Sequence, residues 1–201
     1  MKNFAKLFVS VAVLFAGFAC ATDATEDLGV AIGGQTTLTV SLEESRTQLG
    51  DKAEGVYPLH WSANDQISVN GVASNALSNE EAGAANATFT FAGQLEHPYS
   101  VIYPAASANE VVFPASQVYA EGTFAAGAAP MYGYAANAGE AIQMHHLAGA
   151  LRFDVTGAVV LSSLTVEAEN GNFAGTYAVD CTTGALTLVE GTASSKVTLS
   201  R

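Results

Sequence analysis

Short segments in which apolar and polar residues alternate recur along most of the chain. A period of two is typical of strands with one buried face. The predicted strands are Thr36–Leu42, Gln66–Val69, Ala87–Phe91, Tyr99–Tyr103, Glu110–Phe113, Ala141–Met144, Ala150–Thr156, Ser163–Glu169, Thr176–Val179, Ala185–Val189 and Lys196–Ser200. Turn-forming residues separate them at intervals of roughly 8–12 residues, as in β-sandwiches and barrels. The pattern therefore predicts an all-β sandwich.

The same alternation indicates which side chains form the core and where the chain turns. Three predicted strands each place a pair of apolar side chains on one face, and these should be buried: Phe89 and Phe91, Leu151 and Phe153, and Leu164 and Val166. Tight turns are predicted at three dipeptides: Asn70-Gly71, Asn170-Gly171 and Thr183-Gly184. The Ala- and Gly-rich segments elsewhere lack the periodicity of a long helix.

The first 19 residues have the order of a secretory signal peptide, with two lysines, an apolar run and small residues. The uncharged stretch is shorter than the ~20 residues that a membrane-spanning helix needs. Gly17-Phe18-Ala19-Cys20 resembles a bacterial lipoprotein processing site, so we expect residues 1–19 to be removed and Cys20 to carry the lipid. The alternative is a plain secreted protein in which Cys20 is incidental.

The organisation predicted for the rest of the chain has three parts. Residues 20–34 are small, acidic and glycine-bearing, which is typical of a flexible tether. Residues 35–190 are long enough to bury the core of one sandwich domain. Residues 191–201 are predicted to form either the final strand or the start of a truncated second domain.

Charge and cysteine content exclude several classes of protein. The sequence has a net charge of −12, and about −14 remains once Lys2 and Lys6 leave with the signal peptide. Such an acidic chain does not suit nucleic acid or anionic lipid, because both require a basic surface. Lipidation of Cys20 would leave Cys181 without a partner, so no disulfide is expected.

Three pairs of adjacent titratable residues are candidates for metal binding or acid–base catalysis: His145-His146, Glu43-Glu44 and Glu80-Glu81. Neighbours on a strand point to opposite faces, so two adjacent histidines cannot easily share a metal ion. We expect one inward, hydrogen-bonded imidazole and one solvated imidazole at 145–146, and solvated charges at the glutamate pairs. No metal or other cofactor is predicted.

The remaining candidates for chemistry are Cys181 and Trp61. Cys181 has no activating base nearby in sequence, so a buried structural thiol is the favoured interpretation. Trp61 is either a core residue, which we favour, or a platform on which a sugar stacks. No nucleophile, phosphate-binding or dinucleotide-binding motif is present, and the chain is not expected to be an enzyme.

Several segments resemble those of fimbrillin-like (minor-fimbrium-like) surface lipoproteins of gut and oral Gram-negative bacteria. Trp61–Val69 is similar to the family's W-x-x-x-D-x-I-x-V segment, and His146–Phe153 resembles its h-l-x-G-x-l-r-f strand. Further similar segments are Phe91–Leu95, Tyr103-Pro104, Phe113–Tyr119, Thr156-Gly157 and Ser163–Glu169. The resemblance spans about residues 35–190 through the order and spacing of these motifs.

The resemblance implies a transthyretin-like, Greek-key β-sandwich on an outer-membrane lipoprotein, usually followed by a second sandwich. In fimbrial members a protease cuts after an arginine near the first strand, and the groove that is exposed accepts a strand from the next subunit. The matching position is Arg46, whose alternative role is an exposed charge at a strand end.

These observations predict a lipid-anchored protein of the outer membrane and cell surface. The leading hypothesis is a structural or adhesive fimbrial subunit that assembles with other subunits by β-strand exchange and is then found in the fimbrium. The alternative is a monomeric surface lipoprotein that binds a glycan, which requires aromatic side chains on an open face. A host ligand is compatible with either hypothesis.

Overall fold

The computed structural model describes residues 34–43, 60–120, 124–125, 127–151, 153, 155–157 and 160–201. These residues form thirteen strands and no helix, so the predicted all-β sandwich is confirmed. Nowhere in these ranges is there a helix with the length and apolar character to cross a membrane.

The strands follow one another with short connections. They are β1 Gln35–Leu42, β2 Ser68–Val69, β3 Val72–Ala73, β4 Asn86–Ala92, β5 Tyr99–Tyr103, β6 Glu110–Phe113, β7 Ser116–Val118, β8 Met131–Ala135, β9 Ile142–His146, β10 Ser163–Glu167, β11 Gly175–Asp180, β12 Ala185–Leu188 and β13 Lys196–Ser200. Seven of them form one sheet in the order β3-β2-β5-β8-β9-β1-β4. Two three-stranded sheets have the orders β10-β13-β7 and β12-β11-β6.

The seven-stranded sheet curls around its own apolar face. Trp61 packs edge-on against Phe89 of β4, with ring centroids 5.0 Å apart, and against Tyr103 of β5 at 5.5 Å. Three other strands separate β4 from β5 in the sheet order, so one indole can reach both only if the sheet is strongly curved. The amide of Asn75, just after β3, also donates to the Thr90 carbonyl of β4 at 2.7 Å. The main core lies inside this curl.

A smaller core lies on the opposite face of β5. Val101 belongs to the main core, whereas its neighbour Ile102 packs with Val111 of β6 and Val179 of β11. Adjacent residues of a strand point to opposite faces, so β5 contributes to both cores. The β12-β11-β6 sheet is thereby packed on the outer side of the seven-stranded sheet.

Most predicted strands are present, but three strands were missed. β3 and β7 have only two and three residues, too short for an alternating pattern. Gly133 occupies the middle of β8, where a Cβ atom would lie only 2.9 Å from Sδ of Met144 and 3.1 Å from the Gln143 carbonyl. Glycine at this position permits β8 and β9 to approach closely. Because it has no side chain, it also interrupts the alternation of apolar and polar residues by which a strand is recognised in the sequence.

The prediction of a buried strand at Ala150–Thr156 is wrong for the residues that the structure describes. None of them is in a strand, and the side chains of Leu151 and Phe153 are 71% and 51% exposed. Leu164 and Val166 are only half-buried, whereas Phe89 and Phe91 are fully buried as expected. Alternation shows that a segment could form a strand, but pairing also requires an available neighbour.

The segment 191–201 contains β13, which is the central strand of its sheet. It pairs antiparallel with β10 and parallel with β7. Both alternatives for this segment, a final strand or the start of a second domain, stay predictions. The predicted turns are also found, since Asn70 and Gly71 both have positive φ between β2 and β3, and Gly171 and Gly184 have positive φ before β11 and β12.

Candidate strand-exchange site

Strand β1 is inserted between β9 and β4. Seven residue pairs join it antiparallel to β4, from Gln35↔Ala92 to Ser41↔Asn86. Three further pairs join it parallel to β9, from Val40↔Ile142 to Leu42↔Met144. Because β1 is paired to β4 along most of its length and to β9 through its last three residues, its removal would leave unpaired backbone N–H and C=O groups on both neighbours.

The inward side of β1 is a central part of the main core. Leu38 and Val40 have no exposed surface, and Leu42 and Thr36 are also buried. The adjoining walls are supplied by Phe89 and Phe91 of β4, and by Ile142 and Met144 of β9, all of them buried. We call the space between β4 and β9 that β1 occupies the β1 slot. Without β1 it would be an apolar groove.

The outward side of β1 is polar and uncharged. Thr37 and Thr39 lie opposite Thr90 and Thr88 on β4, and the hydroxyls of Thr39 and Thr88 are 3.2 Å apart. The strand is thus amphipathic, with alternate residues in the core and at the surface. Any strand that replaces it must show the same alternation.

Hydrogen bonds fix both ends of β1, through a side chain at its start and through the backbone after its end. At the start, the Thr36 hydroxyl donates to the Gly93 carbonyl and accepts from the Leu95 amide, both at 3.0 Å. After the end, the Glu43 amide donates to the Met144 carbonyl at 3.1 Å. The Glu43 carboxylate lies 3.1 Å from Nδ1 of His145, but both side chains are well exposed and such a pair contributes at most about 1 kcal/mol.

The two adjacent histidines lie in different environments, but not in the expected ones, because both are half-buried and the inward nitrogen is not hydrogen-bonded. His145 faces Glu43 and the ring of Tyr132, whereas His146 has a buried Nε2 with no hydrogen-bond partner among the described residues. Burial lowers the pKa of His146, and the nearby charge of Glu43 opposes this shift. Among the residues that are described, no group of three His, Cys, Asp or Glu is placed to hold a metal ion.

The glutamates have local roles. The Glu81 carboxylate accepts hydrogen bonds from the amide and hydroxyl of Ser78, which lower its pKa and close a turn. Glu80 is exposed. Glu44 lies outside the described residues.

Trp61 and Cys181 are both core residues. The indole of Trp61 is only 2% exposed and cannot serve as a platform on which a sugar stacks. Cys181 is buried in the smaller core, and burial raises the pKa of its thiol to about 11. A protonated, enclosed thiol is a poor nucleophile.

The two modification sites proposed from the sequence, Cys20 and Arg46, both lie outside the described residues. The chain order nevertheless relates Arg46 to the β1 slot, because β1 ends at Leu42, four positions before it. Cleavage after Arg46 would therefore leave β1 on the amino-terminal fragment and the rest of the fold on the other.

Sequence reasoning missed an apolar groove of about 230 Å³ beside the β10-β13-β7 sheet. Its floor is formed by the half-buried side chains of Leu164, Val166, Val197 and Leu199. Leu151 and Phe153, which the sequence predicted to lie in a buried strand, also line this groove and remain partly exposed.

Comparisons with protein-family models, with curated proteins and with solved structures found no match. The geometry of the β1 slot is therefore the main structural basis for a functional proposal.

Truncation of Leu38 should test how far the fold depends on β1. We expect Leu38→Ala to lower the free energy of unfolding by about 2–5 kcal/mol, because it leaves a cavity in the main core. Thr37→Ala, on the outward side of the same strand, should cost no more than about 1 kcal/mol. Chemical denaturation of both variants measures the difference, and equal losses would show that β1 does not anchor the core.

Acidification should destabilise the protein through His146. Its folded-state pKa lies below the ordinary value, so the unfolded chain binds the proton more readily and stability falls as the pH drops through and below about 6.5. Thermal unfolding between pH 7.5 and pH 5.5 should show this loss, and His146→Phe should reduce it. His60→Phe, at an exposed histidine, is the matched control. An unaltered slope in His146→Phe would contradict the assignment.

Proposed function

We propose that the protein is a lipid-anchored cell-surface subunit, of the fimbrillin-like type, that assembles by exchange of β-strands. The observation that carries this proposal is the position of β1, paired on both edges and followed closely by Arg46. Loss of β1 would expose an apolar groove of the kind that accepts an added strand.

The energetics favour replacement of β1 over an empty slot. Burial of the three aliphatic side chains of β1 contributes roughly 5–9 kcal/mol, at about 1.5–3 kcal/mol for each. The whole stability of a domain is about 5–15 kcal/mol. A subunit that has lost β1 is therefore barely stable until another strand fills the slot. This deficit would drive assembly.

Net charge and the intact strand both oppose premature association. The mature chain carries about −14 charges, so intact copies repel one another. With β1 in place, the inner edges of β4 and β9 are already paired. Assembly would consequently follow proteolysis, with the lipid on Cys20 and the tether at residues 20–34 holding the precursor at the outer membrane until then.

The glycan-binding alternative has weaker support. It requires aromatic side chains on an open face, and Trp61, the residue best suited to stack on a sugar, is enclosed in the core. If the protein stayed monomeric after cleavage, the glycan-binding alternative would be favoured.

Cleavage at Arg46 should convert a monomer into a ladder of oligomers. The mature chain is treated with an arginine-specific protease and examined by gel electrophoresis without boiling. All samples carry Arg152→Lys, because Leu151 and Phe153 on either side of that position are exposed. We expect SDS-resistant ladders from this protein, and neither cleavage nor ladders when Arg46→Lys is added, which keeps the charge. A cut protein that remains monomeric would overturn the strand-exchange proposal.

Lipid attachment is tested separately in cells. Metabolic labelling with a palmitate analogue should mark the wild-type protein and the Cys181→Ser variant, but not Cys20→Ser. Cys181 is the matched control because it is the other cysteine of the chain and is buried. Equal labelling of Cys20→Ser and the wild type would contradict the lipid anchor. It would not bear on strand exchange, which the cleavage experiment tests.

A further inference from the structure

The β1 slot limits which strand of a neighbouring copy could enter it. The inward residues of β1 are Thr36, Leu38, Val40 and Leu42, separated by the outward Thr37, Thr39 and Ser41. An incoming strand therefore needs apolar side chains at three successive alternate positions and polar ones between them. A strand whose polar residues fell at the inward positions would place polar side chains in the core.

Most segments with this pattern already use their apolar face. Phe89 and Phe91 of β4 are buried in the main core, and β10 and β13 are paired with each other over the apolar groove. Among the described residues, those of the segment 150–156, with the sequence ALRFDVT, leave more of their apolar surface exposed, although Leu151 and Phe153 also line the apolar groove. The Leu151, Phe153 and Val155 side chains are 71%, 51% and 62% exposed, and these residues are outside every described strand.

We infer that residues 150–156 of one copy are the strand that enters the β1 slot of a second, cleaved copy. The inference rests on the strand-exchange function proposed above. Leu151, Phe153 and Val155 would take the places of Leu38, Val40 and Leu42, in the same chain direction as β1. Arg152 and Asp154 would then lie on the outward side, where β1 has Thr39 and Ser41.

The surroundings of the slot suit this occupant. The outward residues that flank Thr39 and Ser41 are uncharged, namely Thr88 and Asn86 on β4 and Gln143 on β9. One positive and one negative side chain therefore meet no like charge across the ladder. The alternating pattern of the segment also matches the two-faced environment that β1 leaves, with a core on one side and solvent on the other.

The buried area is close to that of a specific interface. A phenylalanine buries roughly 150–250 Å², and a leucine or valine about 60–120 Å² on the same scale of transfer energies. Because the three side chains are already partly buried, they and the slot walls would together remove on the order of 400–800 Å² from water before the backbone is counted. Specific interfaces begin near 1,000 Å² in total. The paired backbone on both edges would complete this area.

The test compares two exposed apolar positions in the cleaved protein. Phe153→Asp places a charge where the inference needs a core side chain, whereas Val160→Asp makes the same change at a residue that is 75% exposed and outside the pattern. Both variants carry Arg152→Lys and are cut after Arg46. Thermal unfolding of the intact proteins checks that both variants fold before they are cut.

We expect Phe153→Asp to reduce the SDS-resistant ladders by roughly tenfold or more, because a buried carboxylate is strongly unfavourable. Val160→Asp should form ladders like the parent. If both variants form ladders equally, the segment 150–156 is not the incoming strand, although strand exchange stands. If the parent itself forms none after cleavage, the proposed function fails before this inference is reached.

Discussion

The fold depends on a strand being present between β4 and β9. That strand, β1, supplies hydrogen-bonding partners to both neighbours and three fully or nearly fully buried aliphatic side chains to the main core. Backbone groups and apolar surface at this position cannot be left to water without a large loss of stability. The structure fixes the requirement for a strand of this pattern, but not which chain must provide it.

This requirement connects the sequence to the proposed function. β1 is the first described element, and the proposed cleavage site, Arg46, follows Leu42 by four residues, so cleavage there would separate the strand that completes the core from the rest. The curled sheet places the slot against Phe89 and Phe91, which an incoming strand would have to cover as β1 does. In this proposal the acidic net charge acts in the opposite direction and would keep uncut copies apart.

The features that the sequence predicted correctly are those that the local pattern of residues determines. The bounds of Tyr99–Tyr103 and Glu110–Phe113 were found as expected, because a proline follows each of these regular strands. The sequence could not predict that β1 pairs with β9, about a hundred residues away, since pairing is a tertiary property. Nor could alternation reveal that Leu151 and Phe153 are exposed, because the pattern records the capacity to pair and not the presence of a partner.

The central claim is that a strand with the pattern of β1, and not β1's covalent connection, completes the domain. It is tested most directly by adding a synthetic peptide of residues 34–43 in excess to the protein while it is cut after Arg46. The peptide should fill the slot, keep the product monomeric and restore the thermal stability of the intact chain. A matched peptide in which Leu38 and Thr39 exchange places, and Val40 and Ser41 likewise, has the same composition with a disrupted face and should do neither. If both peptides act alike, or neither has any effect, the account is contradicted.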